Sequence, residues 1–244
     1  MNWKADTVLG VLFTPPGQKQ PSSLELWSEL FPNDTPDQFQ KSNPTPNLHS
    51  NASGIRDGFT VTIDSQTGRT QIVLGSANSP MIQEPPRIDN VEEAIIRLKE
   101  LMSVLARKLD TVRLALVVDC SETVQDSDLS QRFRNELPHA NLPENTIDPV
   151  YQFNVRKPFD FDNSVVMNRL CTWNTGHQGF VLGNLPPIFD PSQINMKPFI
   201  GFKIDVNSHG EPLKIMQNEE KILAELCNEA IAIYTNKIEH FNGK

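Results

Sequence analysis

The pattern of secondary structure along the chain repeats the same order twice: an apolar strand, a short helix, one or more hairpins, then a long amphipathic helix. Strands that come in hairpin runs, instead of alternating one for one with helices, imply an α+β fold over a doubly wound α/β fold. The expected architecture is therefore antiparallel sheet packed by two long amphipathic helices. A tandem duplication of a strand–helix–hairpin–helix unit would give halves at residues 1–110 and 111–244, either separate or as one continuous domain. The halves agree in pattern and not residue by residue.

In the first half, residues 7–14 (TVLGVLFT) form an apolar, β-branched run that reads as a buried strand. Ser22 or Ser23 then caps a short helix carrying Leu24, Leu26, Trp27, Leu30 and Phe31, which Pro32 closes. Residues 32–56 are polar and rich in Pro, Asn and Ser, and read as a long flexible loop. Residues 58–75 read as a hairpin, with Phe59, Val61 and Ile63 alternating before a turn over residues 64–68. Asp89 or Asn90 caps the next helix. Its stripe of Val91, Ala94, Ile95, Leu98, Leu101, Met102, Leu105 and Leu109 keeps steps of three and four.

The second half restarts with the strand of residues 112–120 (VRLALVVDC). A helix is expected over about 126–137. Strands follow around Tyr151, Phe153 and Val155, over 165–173, and over 179–182 after an Asn174-Thr175-Gly176 turn. Residues 199–206 (FIGFKIDV) form the closing strand. The last helix is expected over about 217–241, with Leu223, Leu226, Cys227, Ala230, Tyr234, Ile238 and Phe241 at helical spacing.

At 244 residues the chain can bury a substantial core. Its net charge of −8 comes without any basic run, so extended nucleic-acid binding, which depends on Lys and Arg displacing counterions, is disfavoured. No segment has the length of a membrane span, and the apolar run near the N-terminus is too short for an ordinary signal peptide. Cys120, Cys171 and Cys227 are odd in number and widely spaced, which suits neither a disulfide framework nor a CxxC zinc site. These readings imply a cytoplasmic protein without a membrane partner.

The opening strand VLGVLF, the long helix leading into Arg113-Leu114-Ala115-Leu116-Val117-Val118, and the strand FKIDVN followed by a helix with LCNEAIAIY carry a resemblance. The chain resembles a sporadically distributed prokaryotic family of about this length with no established function. Such a distribution implies mobile genes of the phage-defence or toxin type. The resemblance supplies no catalytic residues.

The residues themselves offer few centres for chemistry. None of His49, His139, His177, His209 and His240 falls in an HxH, HxxxH or HExxH pattern, and solvated histidines are the commoner reading. Asp119 stands where an apolar strand is expected to end. With His177, beside Gly176 and Gly179, it is the catalytic candidate for a metal-assisted hydrolase or nuclease with a non-local site. The bland alternative makes Asp119 the start of a turn. Asp160 and Asp162 lack the further ligands and glycine of a calcium loop, so a polar turn anchored by Phe159 and Phe161 is preferred. No GxSxG, GxxxxGK[ST] or GxGxxG element is present.

Trp173, Phe159 and Phe161 are the candidate binding residues, because aromatic side chains dominate interface hot spots. Packing in the core is the equal alternative for Trp173. No metal or cofactor is expected. The leading reading is a non-catalytic subunit that binds a protein partner, with homo-oligomerisation left open. A small-molecule or nucleotide sensor is the third reading.

Overall fold

The structure, a computed structural model, describes residues 3–42, 49–77, 85–140, 143, 146–178 and 196–242. Strand β1 (Lys4–Phe13) is followed by helix α1 (Ser23–Leu30) and by strands β2 (Gln38–Ser42), β3 (His49–Arg56), β4 (Phe59–Gln66) and β5 (Arg69–Ser76). Helix α2 (Val91–Ala106) leads into β6 (Arg113–Thr123), a 3-10 turn at Asp126–Asp128 and α3 (Leu129–Glu136). Strands β7 (Val150–Phe159), β8 (Asp162–Gln178) and β9 (Lys197–His209) precede α4 (Pro212–Gln217), α5 (Glu219–Asn236) and α6 (Glu239–Asn242). The fold is α+β. The nine strands among the described residues form one antiparallel sheet in the order β2-β3-β4-β5-β1-β6-β9-β8-β7.

Alternation along each strand decides which face is covered. Val8 and Leu12 on β1, Ile63 on β4, Ile72 and Leu74 on β5, Leu116 and Val118 on β6, and Phe202 and Ile204 on β9 are fully buried. Their intervening neighbours point to the other side of the pleat. Helix α2 packs on β1 and β5, α5 on β6 and β9, α1 on β3 and β4, and α3 on β8 and β9. Every one of these helices meets the face that carries the buried set. Fully burying one Leu, Ile or Phe is worth roughly 1.5–3 kcal/mol, so the stripe of α2 alone is a large part of the driving force.

Local chemistry sets the helix ends. Ser22 and Glu25 form a reciprocal capping box at α1, with the Ser22 hydroxyl accepting from Glu25 N–H at 3.3 Å. Asn90 accepts from Glu93 N–H at 3.2 Å at the start of α2. The close approach of α2 to the sheet depends on Gly10, where a Cβ would overlap the Met102 side chain.

Several elements differ from the sequence reading. The polar stretch 32–56 holds two strands, β2 and β3, because Ser50, Ala52 and Gly54 are small enough to lie beneath α1. Asp57 and Gly58, with φ of 51° and 82°, make the tight turn from β3 to β4, as Asp-Gly pairs favour. Strand β8 continues through Asn174-Thr175-Gly176, paired with β9, so no turn forms there. The strand expected over 179–182 lies outside the described residues. The last helix is divided: Asn218 separates α4 from α5, and Lys237, at φ 50°, ends α5 before α6.

Glu219 opens α5 against Thr111 and Asp110. Burial, reinforced by the Asp110 carboxylate, raises its pKa to about 7 despite hydrogen bonds from Thr111. A carboxyl whose folded pKa exceeds its unfolded value stabilises the fold fully below the unfolded value near 4.5 and loses that contribution as pH rises through about 7. Glu219→Gln is therefore expected to match the parent near pH 4. By pH 8 it should be more stable by roughly 1 kcal/mol, after discounting for solvent screening. Urea unfolding midpoints at the two pH values measure this difference.

Candidate functional site

Among the described residues, the face of the sheet turned away from the helices carries side chains that the core does not use. Register places its side chains in rows that cross the strands. One row joins Thr62 of β4, Val73 of β5, Leu9 of β1, Val117 of β6, Asp205 of β9, Leu170 of β8 and Asn154 of β7. The next row joins Asp64, Gln71, Val11, Ala115, Asn207, Asn168 and Arg156. Beyond it, Phe13 lies between Arg69 and Arg113. Val73, Leu9, Val117 and Leu170 are half-buried, and no helix among the described residues packs on them. One side of this strip is flanked by Thr7, Asp119, Lys203 and Thr172, and the other by Gln71, Val11, Ala115 and Asn207.

Polar side chains on this face are tied together across strands. Arg113 donates to Asn207 Oδ1 at 3.0 Å, and Asn168 donates to the same oxygen at 3.1 Å. Arg156 Nε donates to Asn168 Oδ1 at 3.1 Å, and Asn207 Nδ2 donates to Asp205 at 2.9 Å. The Arg113 guanidinium also lies over the Phe13 ring, 5.1 Å from its centroid. The Gln66 amide, with its oxygen turned towards Arg69, accepts from Arg69 Nε at 2.9 Å. The chain thus fixes guanidinium planes with amides and a ring, on rigid strands.

Asp119 lies in the interior of β6, opposite Thr7 and Lys203, and not at a strand end. Burial raises its pKa, with the Asp6 carboxylate adding to the rise and the Lys203 ammonium, 3.7 Å away, opposing it. His177 belongs to β8, opposite Pro198, and its Nε2 lies 3.0 Å from Asp126. Lys203 pairs with Thr172, five residues before His177, so roughly 16 Å of strand separates the two levels. An odd step along β8 also puts His177 on the helix side of the sheet. The structure does not bring Asp119 and His177 together.

The aromatic candidates lie on the helix side too. Trp173 is fully buried, stacked on Phe202 at 4.6 Å and on Phe153 at 5.8 Å. Phe159 is fully buried and Phe161 half-buried beside it, 5.6 Å between ring centroids, at the β7–β8 turn. Asp162 in that turn is held at a pKa of about 2 by hydrogen bonds from Ser164 and Lys214. Cys120, Cys171 and Cys227 are buried thiols, and burial pushes those of Cys171 and Cys227 up to about 12. Among the described residues, no group of three His, Cys, Asp or Glu side chains could hold a metal ion.

The sequence reading missed Arg69, Arg113, Arg156, Asn168 and Asn207. The available signal was their alternation with buried residues, which puts them on one face of their strands. That they share a row becomes visible only with the strand order. No protein-family model, curated protein or solved structure matches the chain. No helix among the described residues is long and apolar enough to cross a membrane.

Proposed function

We propose that the chain is a non-catalytic protein-binding subunit whose open sheet face is the docking surface. The observation that carries this reading is the apolar strip Val73–Leu9–Val117, separated from Leu170 by Asp205, on a face with no helix over it among the described residues. An antiparallel sheet often leaves one face to water, and such a face then carries polar residues throughout. Here an aliphatic patch of Leu9, Val11, Val73, Ala115 and Val117 is bordered by polar and charged side chains, which is the anatomy of an interface. The wider setting, a cytoplasmic complex of the phage-defence or toxin type, rests on the family resemblance alone.

We also read the two halves as copies of one unit. Outward from the central β1–β6 pair the order is β5, β4, β3 on one side and β9, β8, β7 on the other. The innermost of these strands leads to the longest helix of its half, β5 directly to α2 and β9 by way of the short α4 to α5. A duplicated unit of this kind would place the two first strands side by side and merge two small sheets into one broad face.

Native affinity purification from the source cells tests the reading. A stoichiometric protein partner is expected, and it should be lost from a Val73→Lys/Leu170→Lys variant whose melting temperature is unchanged. A partner-free monomer, or a partner retained in full by that variant, would overturn it.

A further inference from the structure

We infer that the open face selects an acidic, amphipathic segment of a partner protein, read by Arg69, Arg113 and Arg156; this rests on the docking surface proposed above. The arginines of this chain fall into distinct groups. Arg56 meets Asp34 and Asp37, Arg87 meets Asp6, Arg97 meets Asp57 and Glu100, Arg132 meets Glu122, and Arg169 meets Glu229. Arg107 and Arg134, on or beside helices, donate only to the Ser103 and Pro143 carbonyls, and Arg69, Arg113 and Arg156, on the open face, likewise have no carboxylate within ion-pair distance among the described residues. Their contacts are Gln66, Asn207 with Phe13, and Asn168. The carboxylates of the same face are already engaged, Asp64 by His49, Asp119 by Lys203 and Asp205 by Asn207, so in a chain with a net charge of −8 the three arginines are cations left for a ligand.

Their geometry suits carboxylates. A guanidinium oriented by an amide or stacked on a ring has lost much of its freedom before binding, so less is lost when a carboxylate takes its remaining donors. Arg69 and Arg156 are on β5 and β7, five strand spacings apart, which is roughly 24 Å. That span matches about 16 residues of helix. The aliphatic strip runs alongside the arginines one or two rows away. A segment lying across the strands would seat apolar side chains on Leu9, Val73 and Val117, pass over Asp205 to Leu170, and turn its carboxylates to the arginines. A duplex would face the same cations, but the overall negative charge and the aliphatic strip favour a peptide over a polyanion.

The test is selection of 16-residue peptides from a random displayed library on the immobilised full chain, with a 20-base-pair DNA duplex as a second probe. Selected peptides are expected to be acidic with apolar residues at steps of three and four. An Arg69→Gln/Arg113→Gln/Arg156→Gln variant should weaken them at least about tenfold and reduce their salt dependence. An Arg107→Gln/Arg134→Gln control should bind normally. Peptides without acidic bias, or indifferent to the triple variant, overturn the inference. So does arginine-dependent binding of the duplex without acidic peptides, or the absence of any binder. Peptides insensitive to Val73→Lys/Leu170→Lys would overturn the docking surface itself. Sensitivity to that pair without sensitivity to the arginines would remove only the acidic selectivity.

Discussion

Replacing Glu229 by Ala is expected to lower the unfolding free energy by about 3–5 kcal/mol at neutral pH, the usual cost of leaving a buried charge without its partner. Glu229, on α5, is buried with both carboxylate oxygens engaged. Arg169 Nη1 donates to Oε1 at 2.8 Å, His240 Nε2 lies 2.7 Å from the same oxygen, and Lys157 Nζ stands 3.8 Å from Oε2. Arg169 is itself buried, and its guanidinium lies 5.1 Å from the Phe241 ring. Phe241 in turn meets Phe153 edge to face at 4.9 Å. One carboxylate thus joins the face of β8 to α5 and draws the C-terminal helix α6 onto the sheet. Truncating it leaves Arg169 desolvated and removes the anchor of α6.

The pH dependence has a definite sign. Burial alone would raise the Glu229 pKa, but hydrogen bonds and charges from Arg169 and His240 outweigh it and bring it below 4.5. A depressed folded pKa gives stability that is present above the unfolded value and lost as pH falls through the folded one. The difference between the parent and Glu229→Gln should therefore be largest near pH 7 and shrink below pH 4.5. Chemical denaturation across that range measures it. A difference independent of pH would show that packing, and not charge, governs the site.

How far the fold was legible depended on whether a single element carried its own signal. Helix α2 was legible because eight apolar residues keep helical spacing over its length and Asn90 caps it. Strands β1, β6 and β9 were legible from their apolar runs. Strand β3 was not, since its inward positions are Ser50, Ala52 and Gly54, whose size reflects α1 above them and not a hydrophobic pattern. The Asp57-Gly58 turn was a readable hairpin signal that the polar surroundings obscured. Trp173, His177 and Asp119 depended on direction and length: one residue of register separates a stacked core ring from an exposed contact, five further residues of β8 put His177 in a strand, and the continuation of β6 to Thr123 put Asp119 in a strand interior. The arginine row needed the most. Its members come from β5, β6 and β7, and strand order is a property of the whole chain.

Gly10→Val is expected to cost about 3 kcal/mol, the upper end of the usual cost of overpacking a core. Gly10 lies on the covered side of β1, between Ile72 of β5 and Leu116 of β6, with α2 directly above. A Cβ there would overlap Met102 Sδ and crowd its Cγ and Cε. Met102 is fully buried between α2 and the sheet, so its side chain has little room to yield. Either Met102 leaves its rotamer or α2 lifts from β1, and lifting α2 would loosen its contact with α5 as well. The choice between these is measurable with a double-mutant cycle. Met102→Ala alone should cost about 2–5 kcal/mol by leaving a cavity. In the Gly10→Val/Met102→Ala pair the valine methyls enter that cavity, so the combined loss should fall short of the sum by about 1–3 kcal/mol. Strict additivity would mean that the clash is relieved elsewhere, and that the seat of α2 on the sheet does not depend on the missing Cβ at position 10.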